Sequence, residues 1–515
     1  MAFSPSLSDI GVVVVASAVF LWLRGKSKRS EYPLPPSPPG AVPILGHALL
    51  IPTKKEWETY ERWGKELDTD IIYLNAAGTK LVIVNTVETI QELLDVRSAR
   101  YSSRGTFTMI NELMGWDWSM PTLPYNDQWR DQRKMFARYF SASNPNAYQP
   151  QILQVVRRFV HRVMETPDDF MKHSRNMVGG IAFSLAYGIN ADKPNDPNIA
   201  LADAALNSVL EALLPGKYLV DLMPVLKYVP TWFPGAHFHQ DALEGRKIMN
   251  RMRAEPYEQA QKALAQGSSL PSLMSMAFDD IRDGFYKNPE KAETTLKDLS
   301  ATFYGAGSDT TTASIDNFII AMILHPEIQR KAQQEMDTVV GRDRLPEFTD
   351  EAKMPYLAAV IKELVRWRPV SNIGLPHQCI EDDIYNGYFI PKGSLVIGNQ
   401  RMMLHNPAVY PEPEKFIPER FLTGEEIFNP YEIAFGFGRR TCPGFHMALA
   451  TTFLTAASLL SLFDLSKPVD EHGNVIEPST EMTLGITAHP VPFKCSFQLR
   501  HPRAEELIRA GANFE

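Results

Sequence analysis

Phe435-Gly436-Phe437-Gly438-Arg439-Arg440-Thr441-Cys442-Pro443-Gly444 places one cysteine in a glycine-rich loop, two residues after an arginine and just before the apolar run Phe445 to Leu462. That run reads as a helix, so Cys442 stands at a helix entrance. Free backbone N–H groups and the helix dipole favour a thiolate there. The glycines let the backbone approach a large, flat partner closely. A lone cysteine in apolar surroundings is otherwise an inert core residue. The rest of the chain decides between the two.

The bulk composition narrows the field. The 515 residues are 44% hydrophobic and 22% charged, which suits a globular protein with a large core. No linker after residue 40 suggests a split, so residues 41–515 read as one domain despite their length. A formal net charge of −8 offers no basic face, and no nucleic-acid partner is expected. Three cysteines, Cys379, Cys442 and Cys495, make neither a disulfide framework nor a C-x-x-C zinc pair. The chain suits a reducing compartment.

Residues 1–30 read as a membrane anchor. Ile10 to Leu23 is an apolar run of 14 residues, followed by Arg24, Lys26, Lys28 and Arg29. It is short against the roughly 20 residues of a full span. Its charge follows the run rather than preceding it, which argues for a retained anchor over a cleaved signal, with the body on the cytosolic side. Residues 31–40 hold Pro33-Leu34-Pro35-Pro36-Ser37-Pro38-Pro39-Gly40, a stiff polyproline hinge.

Further along, Ile71 to Leu74 and Leu81 to Val84 flank Gly78 as a hairpin. Trp129 and Arg133 lie four apart in a helix and share one face. Pro215 to Pro234 is proline-punctuated, apolar and aromatic, and reads equally as a core connection or as a lid over a channel that touches a membrane surface. Leu299 to Leu324 is the longest apolar helical pattern, with only Asp309 and Asp316 charged inside it. Small Ala306 and Gly307 leave room beside that helix. Thr310 can bond back to the carbonyl four residues earlier and loosen the local ladder, and Asp309 supplies a titratable group. Glu363 and Arg366 share one face of a helix from Tyr356 to Trp367, and Arg420 in Pro418-Glu419-Arg420-Phe421 makes a third member of a buried structural network. Gly485 to Phe497 reads as a terminal hairpin.

Five of these features, in order along the chain, resemble the cytochrome P450 superfamily: W-x-x-x-R, A-G-x-D-T-T (Ala306 to Thr311), E-x-x-R, P-E-R-F and F-x-x-G-x-R-x-C-x-G. The texture is similar to the fungal microsomal, reductase-dependent type, and in particular to mushroom secondary-metabolism monooxygenases such as tryptamine 4-monooxygenase and the O-methylsterigmatocystin oxidoreductase-like enzymes. The resemblance implies the cytochrome P450 fold, mainly α with small β sheets. It implies haem (iron protoporphyrin IX) with an axial thiolate from Cys442, shielded by Phe435 and tuned by N–H groups near Gly444. Trp129, Arg133, His377 and Arg440 are implied at the propionates, and Asp309 and Thr310 as catalytic proton-relay residues. Glu363, Arg366 and Arg420 are expected to hold the Cys442 loop.

The implied activity is hydroxylation of a small lipophilic or aromatic secondary metabolite of terpenoid, polyketide or indole type. Dioxygen is the oxidant, and the electrons come from NADPH through a separate NADPH–cytochrome P450 reductase. The implied site is the endoplasmic reticulum membrane, single-pass, with a cytosolic catalytic domain. Arg130, Lys134 and Arg138 form the expected reductase patch. Met109, Leu113, Trp116 and Trp118 suggest an apolar guest, while Asn111, Glu112 and Asp117 leave room for an amine. The rival reading is a haem-thiolate isomerase or dehydratase without net oxygen insertion.

Overall fold

The computed structural model describes residues 30–512 apart from 192, 194, 215, 425 and 426. The expected anchor therefore lies outside the described residues, save Ser30. Nine helices position the site: α1 (Glu56–Glu66), α2 (Asp127–Tyr139), α3 (Gln149–Glu165), α4 (Phe170–Tyr187), α5 (Pro197–Ala212), α6 (Phe238–Ala265), α7 (Pro289–Leu324), α8 (Pro355–Trp367) and α9 (Phe445–Leu462). Strands β1 (Ile71–Ala76) and β2 (Thr79–Val84) form the expected hairpin, with Ile71 opposite Val84. β2 runs parallel to β6 (Leu395–Gly398), and the sheet closes on β3 (His377–Gln378) in the order β1-β2-β6-β3. β4 (Asp383–Tyr385) and β5 (Tyr388–Ile390) make a small separate ribbon.

α7 is the axis of the molecule. It begins ten residues before the apolar pattern does, because Asn288 caps it by accepting the Lys291 N–H and Pro289 takes the first helical position. At about 1.5 Å per residue it runs roughly 54 Å. Most of its last 20 residues are buried, packed above all on α4. α9 is long and apolar enough to cross a membrane, yet it is mostly buried among α3, α7, α8 and the helix Pro326–Val339. Its hydrophobicity belongs to the core, where side chains such as Phe453, Leu454 and Leu460 are fully covered.

The segment Gly485 to Phe497 supplies the second arm of a short hairpin whose first arm is residues 481–483: Met482 bridges Pro490, the Thr483 N–H bonds the His489 carbonyl at 2.7 Å and the Val491 N–H bonds the Glu481 carbonyl at 3.1 Å. Its end continues into β8 (Ser496–Leu499), which pairs antiparallel with β7 (Phe463–Ser466). Alternating apolar residues identified strand-forming chain there, but the partner strand lies elsewhere in sequence. Residues 216–234 form a mostly exposed cover made of one short helical turn, Leu219–Leu222, and a 3-10 turn, Pro224–Tyr228.

Candidate active site

Cys442 sits where α9 begins, with Gly444 at the helix cap. Its N–H bonds the carbonyl of Phe435 at 2.8 Å, which folds the loop back on itself. Gly438 shows why the loop needs glycine: its φ is +57°, and a Cβ there would lie 2.1 Å from the Leu94 carbonyl oxygen. Its N–H also bonds the Asp95 carboxylate. The loop is thus seated on the segment after β2. The Phe435 ring packs 5.8 Å from that of Phe445.

One cavity gathers Cys442, Phe435 and Gly444 from the loop, Ala306, Gly307, Thr310 and Thr311 from α7, and Trp129 and Arg133 from α2. Its empty space is about 1840 Å³, including the open mouth. Burial pushes the Cys442 thiol above its usual range, against the pull of the Gly444 N–H and Arg133. A cavity-lining cysteine at a helix entrance fits the thiolate ligand of a haem iron.

The cavity also has a cationic edge. Arg440 donates to the carbonyls of Ser102 (2.7 Å), Met120 (3.2 Å) and Leu123 (2.7 Å), and lies 4.4 Å over the Trp129 ring. Arg104, absent from the sequence reading, donates to the carbonyls of Pro121 (3.1 Å), Leu375 and Pro376 (2.8 Å). Burial pulls Arg104 down to about 9, helped by Arg440; burial likewise pulls Arg440 down to about 9, helped by Arg133. Four guanidiniums, those of Arg104, Arg133, Arg368 and Arg440, line one cavity whose described lining has no Asp or Glu. That surplus fits the two propionates of a haem, and the apolar remainder fits its ring. Nothing in the sequence around Arg104 announces this, because its partners lie as far away as Pro376.

His377 stands apart. It faces the Tyr101 carbonyl through Nδ1 at 2.8 Å, so Nδ1 is the donor, and it is not among the side chains lining the cavity. Burial, with Arg104 and Arg440 nearby, pushes its pKa well below the usual range. A neutral ring with its proton on Nδ1 has none on Nε2 to offer a propionate. Arg104, and not His377, is among the residues that line the cavity.

On α7 the two relay candidates point differently. Thr310 lines the cavity, and its hydroxyl donates to the Ala306 carbonyl at 3.1 Å, the back-bond its position suggested. Asp309 does not line the cavity. Its Oδ1 takes Arg175 of α4 at 2.6 Å and His489 of the terminal segment at 3.2 Å, and Oδ2 is buried without a partner. Burial alone would raise this carboxyl, but His489 and Arg175 outweigh it and hold the group far below the usual range. Arg175 also holds Asp203 of α5, so one guanidinium ties three helices. No local signal linked Arg175 or His489 to Asp309.

The Glu363 network is assembled as a buried cluster. Arg366 donates to Glu363 at 2.7 and 2.9 Å, and Arg420 donates to both oxygens at 3.2 and 3.1 Å. The guanidiniums also bind the carbonyls of Leu404, Pro411 and Lys415. No recorded bond runs from the three to the Cys442 loop. They brace the segment 404–420, from which Tyr410 donates to the Phe428 carbonyl ahead of the loop. Of the expected docking cations, Arg130 is paired with Asp127 at 2.5 Å and Arg138 with Asp280 at 2.6 Å. Lys134 is exposed, with no ion pair recorded.

The comparisons agree with this geometry. The family model described as Cytochrome P450 matches residues 35–497. A relative from Rhodocybe pseudopiperita, "Cytochrome P450 monooxygenase ple1", is 43% identical over 99% of this chain and 98% of its own length. "Tryptamine 4-monooxygenase" from Psilocybe cyanescens is 36% identical over 97% of this chain and 98% of its own. "Cytochrome P450 monooxygenase claR" from Ampulloclitocybe clavipes is 37% identical over 96% and 92%.

Proposed function

The chain belongs to the cytochrome P450 family of haem-thiolate monooxygenases, and from that premise we propose that it hydroxylates an uncharged, lipophilic secondary metabolite of terpenoid, polyketide or aromatic type. The observation that carries the substrate class is the cavity lining, which is predominantly apolar and has no carboxylate among the described residues. Of the groups expected to leave room for an amine, Asn111, Glu112 and Asp117, none lines the cavity; Asn111 bonds Phe107, Trp116 and Thr122, and Glu112 pairs with Lys227.

Bound haem supplies the iron at which dioxygen is reduced, one atom leaving as water and the other entering a C–H bond of the guest. The chain does the rest. Cys442 Sγ would hold the iron as its thiolate, steadied by the Gly444 N–H and with Phe435 beside it in the cavity wall. Arg104, Arg133 and Arg440 would hold the propionates, with Trp129 against Arg440. Across the cavity, Thr310 offers its hydroxyl as donor once it leaves the Ala306 carbonyl. Asp309, locked by Arg175 and His489, is too acidic to hold a proton in this arrangement; it takes one at Oδ2 by turning away from both, and hands it to Thr310 Oγ1.

Family membership carries a redox partner. Here we assign a separate membrane-bound NADPH-dependent reductase, docking around exposed Lys134. The exposed lid side chains Val225, Tyr228, Trp232 and Phe233 support attachment at the endoplasmic reticulum surface beside the anchor. The test is conversion in cells that also make a fungal reductase, under isotopically labelled dioxygen, beside a Cys442→Ala control. Labelled product from a fed terpenoid or polyketide, absent in the control, is expected. Unlabelled product would transfer the protein to the isomerase or dehydratase class, and efficient turnover of a cationic amine would refute the substrate class.

A further inference from the structure

Asp309 stands one residue before Thr310, yet its carboxyl lies outside the cavity lining, held from α4 and from the terminal hairpin. Arg175 and His489 both meet Oδ1, while Oδ2 is buried without a partner. To reach Thr310 the carboxyl must leave both groups, and the two differ in kind. A guanidinium keeps its charge at any working pH. Arg175 also holds Asp203 through Nε at 3.0 Å, so it has a second carboxylate to keep. Histidine, in contrast, changes charge between about pH 5 and 8. The His489 ring is only partly buried, so water can exchange its proton.

The backbone under His489 is fixed. Its N–H bonds Thr483 Oγ1 at 3.0 Å, and its carbonyl takes the Thr483 N–H at 2.7 Å. The preceding Ala488 N–H bonds the carbonyl of Val370, a cavity residue, at 2.8 Å. The imidazole therefore stays beside α7 in either charge state, and only its grip on Asp309 changes. Burial raises the Asp309 carboxyl, and against it His489 weighs more than Arg175. Other charged groups face the same place. Asp316 lies two turns along α7 on the Asp309 side, about 10 Å away, and feels both His489 and Arg175. Asp203 of α5 reaches it through Arg175. Arg368 donates to the Thr480 carbonyl at 2.7 Å, next to the first arm of the hairpin.

We propose that His489 is a positioning residue for Asp309: its charged imidazole keeps the carboxyl turned from the cavity, and the neutral imidazole lets it swing to Thr310. The one proton that changes hands leaves the ring for solvent water. The carboxyl then has a single cation to break from, and that cation retains Asp203. The inference rests on the relay reading of Asp309 and Thr310, not on the substrate class.

The test uses purified holoenzyme with neither guest nor reductase. Chemically reduced protein is mixed with oxygenated buffer, and the return of the oxidised haem spectrum is timed at about pH 5 and about pH 8, the ends of the histidine range. His489→Gln is a neutral donor, and His489→Lys is charged at both ends. Relative to the unaltered protein, His489→Gln should be about tenfold faster at the acid end and equal at the alkaline end, the effect of one charge-assisted hydrogen bond on the barrier. His489→Lys should be equal at the acid end and about tenfold slower at the alkaline end. Asp309→Asn should be slow at both. A His489→Gln ratio that is the same at both ends, or a His489→Lys variant with the unaltered pH profile, would overturn the proposal. Asp309→Asn as fast as the unaltered protein would remove the relay and the positioning role together; a slow Asp309→Asn beside unresponsive His489 variants would remove the positioning role alone. Urea unfolding of His489→Gln, Asp309→Asn and the double variant reads the pair without haem chemistry. The two changes should be non-additive by about tenfold in the unfolding equilibrium at the acid end, and by about twofold or less at the alkaline end. Additivity at both ends would overturn the proposal. The same pH dependence should persist in an Asp316→Asn background, and its loss there would assign the effect to Asp316 instead.

Discussion

Replacing Glu363 with alanine tests how the buried charge cluster supports the fold. Glu363 and Arg366 are wholly buried and Arg420 nearly so, and Glu363 Oε1 also accepts the Ile417 N–H at 2.8 Å. Removing the carboxylate strands two guanidiniums and one amide away from water. Breaking a buried pair by deleting one partner costs about 3–5 kcal/mol, and the orphaned amide adds about 1–3 kcal/mol. A loss of about 4–8 kcal/mol is a large share of the roughly 5–15 kcal/mol that holds a typical domain together. Glu363→Gln, which keeps acceptor oxygen but no charge, should fall between. The assay is urea unfolding followed both by tryptophan fluorescence and by the haem absorbance of the carbon monoxide complex, with haem per chain measured on the purified protein. Glu363→Ala should unfold at clearly lower urea and carry less haem with its thiolate spectrum. If it unfolds within about 1 kcal/mol of the unaltered protein and loads haem fully, the cluster is a local decoration, since such a loss is that of a surface change.

Thr310→Ala should keep haem and still consume NADPH, while product formed per NADPH falls severalfold, as read from product and cofactor assays run together; tight coupling in this variant would remove Thr310 from the proton path. Asp309→Asn should slow turnover about a hundredfold, the low end for a lost acid–base group, and enlarge the solvent deuterium effect; an unchanged rate would leave Asp309 a purely structural partner of Arg175 and His489. Burial pushes Asp316, which accepts the Ser174 hydroxyl at 2.6 Å, up to about 7. Between the ordinary carboxyl value and that point the native state keeps a proton the unfolded chain has released, so stability falls as pH rises from about 4 to about 7, by at most about 4 kcal/mol. Asp316→Asn should flatten that slope in unfolding measurements at pH values across the window, and an unaltered slope would show that Asp316 is ionised throughout. Lys134→Glu should weaken reductase-supported turnover at low salt and lose that effect at high salt, whereas Arg138→Glu, already spoken for by Asp280, should act mainly through the lost pair; a Lys134→Glu variant with full turnover at low salt would move the docking site elsewhere.

The features legible in the sequence were those written over a few neighbouring residues. The Cys442 loop, the E-x-x-R face and the small-residue stretch from Ala306 to Thr311 have their chemistry set by spacing along one loop or helix, so no tertiary information was needed to find them. The hairpin of β1 and β2 was equally local, closed by Gly78 at φ +98°. The length of α7 was underestimated because its first turns are polar and announce themselves only through the Asn288 cap.

What only the folded chain decided is which distant groups meet. Arg175 reaches Asp309 across 134 positions and His489 reaches it across 180, so the relay candidate rests in an ion pair. Arg104 joined the cationic edge through carbonyls as distant as Pro376, while His377 turns Nδ1 to the Tyr101 carbonyl. Asp221 caps a helix 112 positions away. Each pairing depends on how helices pack around the core, and burial then makes it strong; composition and spacing carry no record of either.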